Sequence, residues 1–117
     1  MAIYAVTYTY DPKLADARAA VRGEHNDWLL TLVNQDRALC TGPFSDGGGG
    51  LLIFEADSEH LLTALLEEDP FARENLIEST QVREWRPIHG QVGNSSRDLD
   101  RKPLQSRVVE VNATSRL

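Results

Sequence analysis

Apolar and polar positions change period several times along the chain. Residues 2–10, Ala-Ile-Tyr-Ala-Val-Thr-Tyr-Thr-Tyr, are rich in aromatic and β-branched side chains, which predicts a strand ended by Asp11-Pro12. Over residues 13–35 the spacing becomes helical. Leu14, Val21, Trp28 and Leu32 recur at helical intervals, and Leu29 widens the stripe. Gly23 interrupts this stretch at a cost of about 1 kcal/mol relative to Ala. The reading favoured here is a break at Gly23, with a short first helix and a main helix over about residues 24–35.

Residues 37–44 read as a second strand, residues 45–50 as a glycine-rich turn, and Leu51 to Ala56 as a third strand. Asp57-Ser58 offer a helix cap. Leu61, Leu62, Leu65 and Leu66 supply the apolar face of a second helix, which Pro70 ends. Residues 77–86 complete a fourth strand. The order βαββαβ predicts an α+β, ferredoxin-like fold, an antiparallel sheet with both helices on one face. Its other face is left bare, and a second copy is expected to cover it, giving a homodimer.

Charge divides the chain. Residues 1–88 carry 7 Lys/Arg against 15 Asp/Glu, a net of -8, whereas residues 89–117 carry 5 against 3, a net of +2. The latter segment has no Phe, Tyr or Trp, so it buries too little apolar surface to offset its ordering entropy. A folded domain over 1–88 and a polar tail over 89–117 are expected. Within that tail Val108-Val109-Glu110-Val111 is β-prone and suits pairing with a sheet edge. An acidic domain argues against nucleic-acid binding. No apolar run approaches the roughly 20 residues of a membrane span. The first residues lack the pattern of a secretory signal, and the single Cys40 cannot form an internal disulfide. Together these favour the cytoplasm.

His25 is the first chemical candidate, because it falls four residues after Val21 and four before Leu29, on the apolar stripe. Two readings stand: a core histidine with one satisfied hydrogen bond, or a proton-transfer group. The topology brings the start of the main helix and the end of the second helix to one sheet edge. His25 in a first helical turn would then meet Asp69. A helix start disfavours a protonated ring and a carboxylate favours it. Balanced in this way, the ring suits general acid–base work, with Asp69 orienting it.

Around this pair, Arg22 suits an anionic group, and Trp28 and Phe44 suit an apolar wall. Gly42-Pro43 at a strand end either lets backbone approach a ligand or shapes a bend, and Ser45 offers a hydrogen bond. His60 and His89 are expected outside, and Cys40 is expected as a small hydrophobe. No residue pair shows a dedicated metal spacing, so no metal is expected, and acid–base chemistry by His25 and Asp69 calls for no cofactor.

These segments resemble the YCII-related (YciI-like) family. Arg22-Gly23-Glu24-His25 with Trp28-Leu29 is similar to its Arg-x-x-His segment, and Gly42-Pro43-Phe44 to its Gly-Pro strand end. Glu68-Asp69-Pro70-Phe71 resembles its Asp-Pro-Phe/Tyr segment, and Val82-Arg83-Glu84-Trp85 its last strand. The match runs over about residues 1–88. The resemblance implies a dimeric α+β barrel and a His-Asp active site at His25 and Asp69. The family name supplies no reaction; the placement of His25 and Asp69 is what points to a small cofactor-independent enzyme using general acid–base chemistry (isomerisation, elimination or hydrolysis) on a small organic substrate, cyclic ones included. The alternative is a non-catalytic ligand-binding or regulatory module of the same fold. A cofactor-free or haem-using monooxygenase of the wider class ranks third.

Overall fold

The structure, a computed structural model, describes residues 1–91. Strand β1 (Ala2–Thr9) leads through a 3-10 turn (Pro12–Leu14) into helix α1 (Ala15–Asn34). Strands β2 (Ala38–Pro43) and β3 (Gly49–Ala56) form a hairpin. Helix α2 (Glu59–Leu66), a single helical turn α3 (Pro70–Arg73) and strand β4 (Ser79–Glu84) follow. The sheet order is β2-β3-β1-β4 with every neighbour antiparallel. This is the expected α+β, ferredoxin-like arrangement, with the helices on one face. The tail expected from residue 89, with its Val108–Val111 run, lies from residue 92 onward outside the described residues.

Alternation in β1 decides which side faces the helices. Tyr4, Val6 and Tyr8 are buried there, opposite Phe54, Leu52 and Gly50 of β3. Leu29 and Leu32 of α1 and Leu62, Leu65 and Leu66 of α2 close the core over them. Val6 and Phe54 have no exposed surface, and each contributes about 1.5–3 kcal/mol on burial. The other face carries Ile3, Ala5, Leu51 and Ile53, and Leu51 is exposed.

Several local features differ from the sequence expectation. First, α1 runs through Gly23 without a break. Gly23 is exposed, with nothing near its missing Cβ, and packing of the residues on either side offsets its cost. His25 is therefore mid-helix, away from the start of α1. Second, the buried stripe is Arg18, His25, Leu29 and Leu32, turned from the expected one so that Leu14, Val21 and Trp28 are half-buried. Third, α2 stops at Leu66, and Pro70 opens α3 instead of closing α2. Proline suits a first helical position because its missing N–H has no partner to lose there. Leu61 is exposed rather than part of the α2 apolar face.

Gly49 and Gly50 belong to β3 and not to the turn. A Cβ on Gly49 would lie 1.9 Å from the Tyr8 carbonyl oxygen, so only glycine fits against β1 at that point. Among the described residues no helix is long and apolar enough to cross a membrane.

Candidate functional site

Asp69 is fully buried, and its position follows from its place as the N-cap of α3. Its Oδ1 accepts from the Phe71 backbone N–H at 2.9 Å, which satisfies one of the amides that a helix start leaves without a partner. The same oxygen lies 2.8 Å from His25 Nδ1. Its Oδ2 accepts from the Tyr8 hydroxyl at 2.8 Å. Three elements thus converge on one carboxyl group: β1 through Tyr8, α1 through His25, and α3 through its own cap.

This pattern assigns the histidine tautomer. A carboxylate only accepts, so Nδ1 donates, and in the neutral ring Nε2 is the nitrogen that carries the lone pair. Among the described residues Nε2 has no protein partner. Phe71 stacks on the imidazole with centroids 3.9 Å apart and planes 2° apart, so the ring is held in orientation from its face as well as through Nδ1. Burial, the nearby Asp69 charge and the hydrogen bond to Asp69 all push the Tyr8 phenol far above its ordinary range. Tyr8 is therefore a permanent O–H donor to Asp69 at any ordinary pH.

A cavity of about 300 Å³ opens beside the pair. Arg22, His25, Asn26 and Leu29 border it from α1, and Thr41, Gly42 and Pro43 border it from β2. Tyr8, Tyr10, Gly50, Leu52 and Phe71 complete the wall. Its size suits one small ring. A second hollow, of about 330 Å³, lies between α2 and β4 and includes Glu59 and Glu67, with neither His25 nor Arg22.

The expected residues divide between these surroundings. His25, Asp69, Arg22, Gly42 and Pro43 come together at the first cavity or directly behind it. Trp28 does not line it and packs against the main core. Phe44 and Ser45 are exposed beyond the end of β2 and do not line it either. Arg22 makes no ion pair with Asp69; the ion pair at Asp69 is with His25. His60 and His89 are exposed, and Cys40 is half-buried on the open face of the sheet. Among the described residues no group of three His, Cys, Asp or Glu is arranged to hold a metal ion.

Sequence reasoning missed Tyr8, Tyr10, Phe71 and Arg18 as members of this region. The Arg18 guanidinium is buried, donates to the Asp11 and Leu76 carbonyls at 3.0 and 3.4 Å, and lies 4.4 Å from the centre of the Tyr10 ring. Two carbonyls and a π face thus take the place of a carboxylate partner. The strand alternation that put Tyr8 inward was a usable signal for Tyr8. Arg18 at the i−7 position from His25 gave a weaker one.

Comparison with known proteins agrees with this architecture. Residues 2–86 match the family described as the YCII-related domain. Among solved structures, the chain is similar to 5-chloro-2-hydroxyhydroquinone dehydrochlorinase (TftG) from Burkholderia phenoliruptrix, determined in complex with 2,5-dihydroxybenzoquinone. The identity is 25%, the TM-score is 0.65, and the match covers 75% of this chain and 95% of that one. Rv0793 from Mycobacterium tuberculosis aligns at 16% identity with a TM-score of 0.48, covering 77% of this chain and 97% of that one. No curated protein matches the sequence.

Proposed function

The chain belongs to the YCII-related family, and we propose that it is a cofactor-independent enzyme acting on a small, cyclic organic acid or phenol, with His25 as general base and acid. The observation that carries this reading is the Tyr8–Asp69–His25 arrangement beside a cavity. Nδ1 is committed to Asp69, Asp69 is committed to Tyr8 and the Phe71 amide, and Nε2 is left for a substrate. Asp69 orients the ring and stabilises its cation when Nε2 takes a proton.

In an elimination, Nε2 removes a proton from the substrate, the freed electron pair forms the new double bond, and the leaving anion departs with its bonding pair. In an isomerisation, the same nitrogen returns the proton at a second carbon. The resemblance to a dehydrochlorinase supports the first. Arg22, on the cavity wall, suits the anionic oxygen of such a substrate.

The test is turnover and binding on a panel of chlorinated and hydroxylated hydroquinones, with wild type and His25→Ala compared. Loss of turnover by roughly 10²–10⁴ with binding retained supports the catalytic reading. Binding equal in both proteins, with no turnover by wild type on any member, supports the ligand-binding module instead.

A further inference from the structure

The His25–Asp69 network leaves one cavity residue unused, Tyr10. Its ring is held on three sides. Phe71 meets it edge-on at 5.9 Å and 83°, Tyr8 lies 6.3 Å away at 48°, and the Arg18 guanidinium sits 4.4 Å from its centre. The backbone is fixed as well, since the Tyr10 N–H donates to the Gly48 carbonyl at 2.8 Å. Yet the Tyr10 hydroxyl has no hydrogen-bond partner among the described residues.

Gly50 shows where that hydroxyl lies. A Cβ built on Gly50 would sit 3.8 Å from it, and Gly50 lines the same cavity as His25 and Arg22. The hydroxyl therefore stands over a floor with no side chain. Tyr10 is half-buried, so a ligand that displaces water from the cavity must itself satisfy this donor or leave it unpaired at a cost.

The charged groups around Tyr10 are Asp69 at the cap of α3, and Arg18 and Arg22 on α1. Burial and Asp69 outweigh the two guanidiniums and raise the phenol above its ordinary range, so it holds its proton at neutral pH. Tyr10 and Arg22 thus bring two donor side chains to the lining of one cavity.

We propose that Tyr10 is a substrate-binding residue whose hydroxyl donates to a ring oxygen of the substrate, and that with Arg22 it selects planar rings bearing an anionic oxygen (phenolates, enolates or ring carboxylates). This inference rests on the cavity being the substrate site, as proposed above, and adds the Tyr10 hydroxyl as the group that reads a ring oxygen. The apolar side chains of Leu29, Leu52 and Pro43 suit the body of one six-membered ring in about 300 Å³.

The experiment titrates the full chain with 2,5-dihydroxybenzoquinone, whose hydroxyls are vinylogous acids. Wild type is compared with Tyr10→Phe, which keeps the ring and its contacts. Incorporating 3-fluorotyrosine at the chain's three tyrosines adds a fluorine signal for each. The signal missing from Tyr10→Phe belongs to Tyr10. The expected result is affinity about 10–100-fold lower in Tyr10→Phe, the scale of one hydrogen bond to a charged group. The Tyr10 signal should also shift most on binding.

Unchanged affinity in Tyr10→Phe, or a Tyr10 signal that stays still, overturns the proposal. Absence of binding by wild type overturns the ligand class. A protein that binds the probe through Tyr10 but has no His25-dependent turnover keeps this inference and loses the catalytic one.

Discussion

Tyr8 and Asp69 are joined by a 2.8 Å hydrogen bond between two side chains that are almost completely sealed from solvent. That bond fixes the second carboxylate oxygen, and so it fixes what His25 sees. Tyr8→Phe keeps the ring but leaves Oδ2 without a donor in a dry environment. The expected loss is about 1–3 kcal/mol of unfolding free energy. Urea denaturation of the two proteins measures it, and an unchanged midpoint would refute the role assigned to this hydroxyl.

Alkaline pH should act through the same residue. Tyr8 keeps its proton in the folded state far above the pH at which an unfolded tyrosine, with an ordinary value near 10, releases it. Above about pH 10 the unfolded chain therefore binds fewer protons than the folded one. Stability then falls with rising pH, by about 1.4 kcal/mol per pH unit for this one group. Below that range the contribution is fully present. Denaturant titrations between pH 9 and 11 should show this slope in wild type and a shallower one in Tyr8→Phe.

How far the sequence alone reached depends on the residue. His25 was legible because a polar residue on an apolar helical stripe stands out, and its burial follows from the period. Gly-Pro at the end of β2 was legible from backbone chemistry. Gly23 misled, because helix propensity is a small local cost and tertiary packing along twenty residues outweighs it. Asp69 was found, but as the end of α2. Its actual duty, capping α3, needed the chain to turn at Glu67-Glu68, which periodicity does not encode. Strand alternation groups Tyr8 with Tyr4 and Val6 on one face of β1, but it does not say that the Tyr8 hydroxyl meets Asp69, a partner 61 residues away.

The two glycines misread or underweighted in that way give opposite predictions. Gly23→Ala places a methyl in open space on an exposed helix interior and should stabilise the protein by about 0.5–1 kcal/mol. Gly49→Ala places one within 1.9 Å of the Tyr8 carbonyl oxygen. It should push β1 and β3 apart and cost at least about 3 kcal/mol, or prevent folding. Thermal unfolding of both variants by circular dichroism decides the pair.

The open face of the sheet makes a prediction about assembly. Leu51 is exposed there beside Ile53, Ala5 and Ile3, and we expect a second copy to cover this face. Leu51→Glu would place a charge in that apolar patch without touching the core beneath. Sedimentation should show wild type as a dimer and Leu51→Glu shifted toward monomer. A monomeric wild type would remove the need for a partner copy.

Asp69 lies 44 residues from His25 and 61 from Tyr8 along the chain. The network accordingly closes two long loops, and their entropy must be overcome before any of its bonds forms. No local fragment carries it: β1, α1 and the α3 cap must all be docked for the donors to meet. A recovered Tyr8–Asp69 bond during refolding is thus a signature of long-range docking of β1 against the α3 cap, not of local structure.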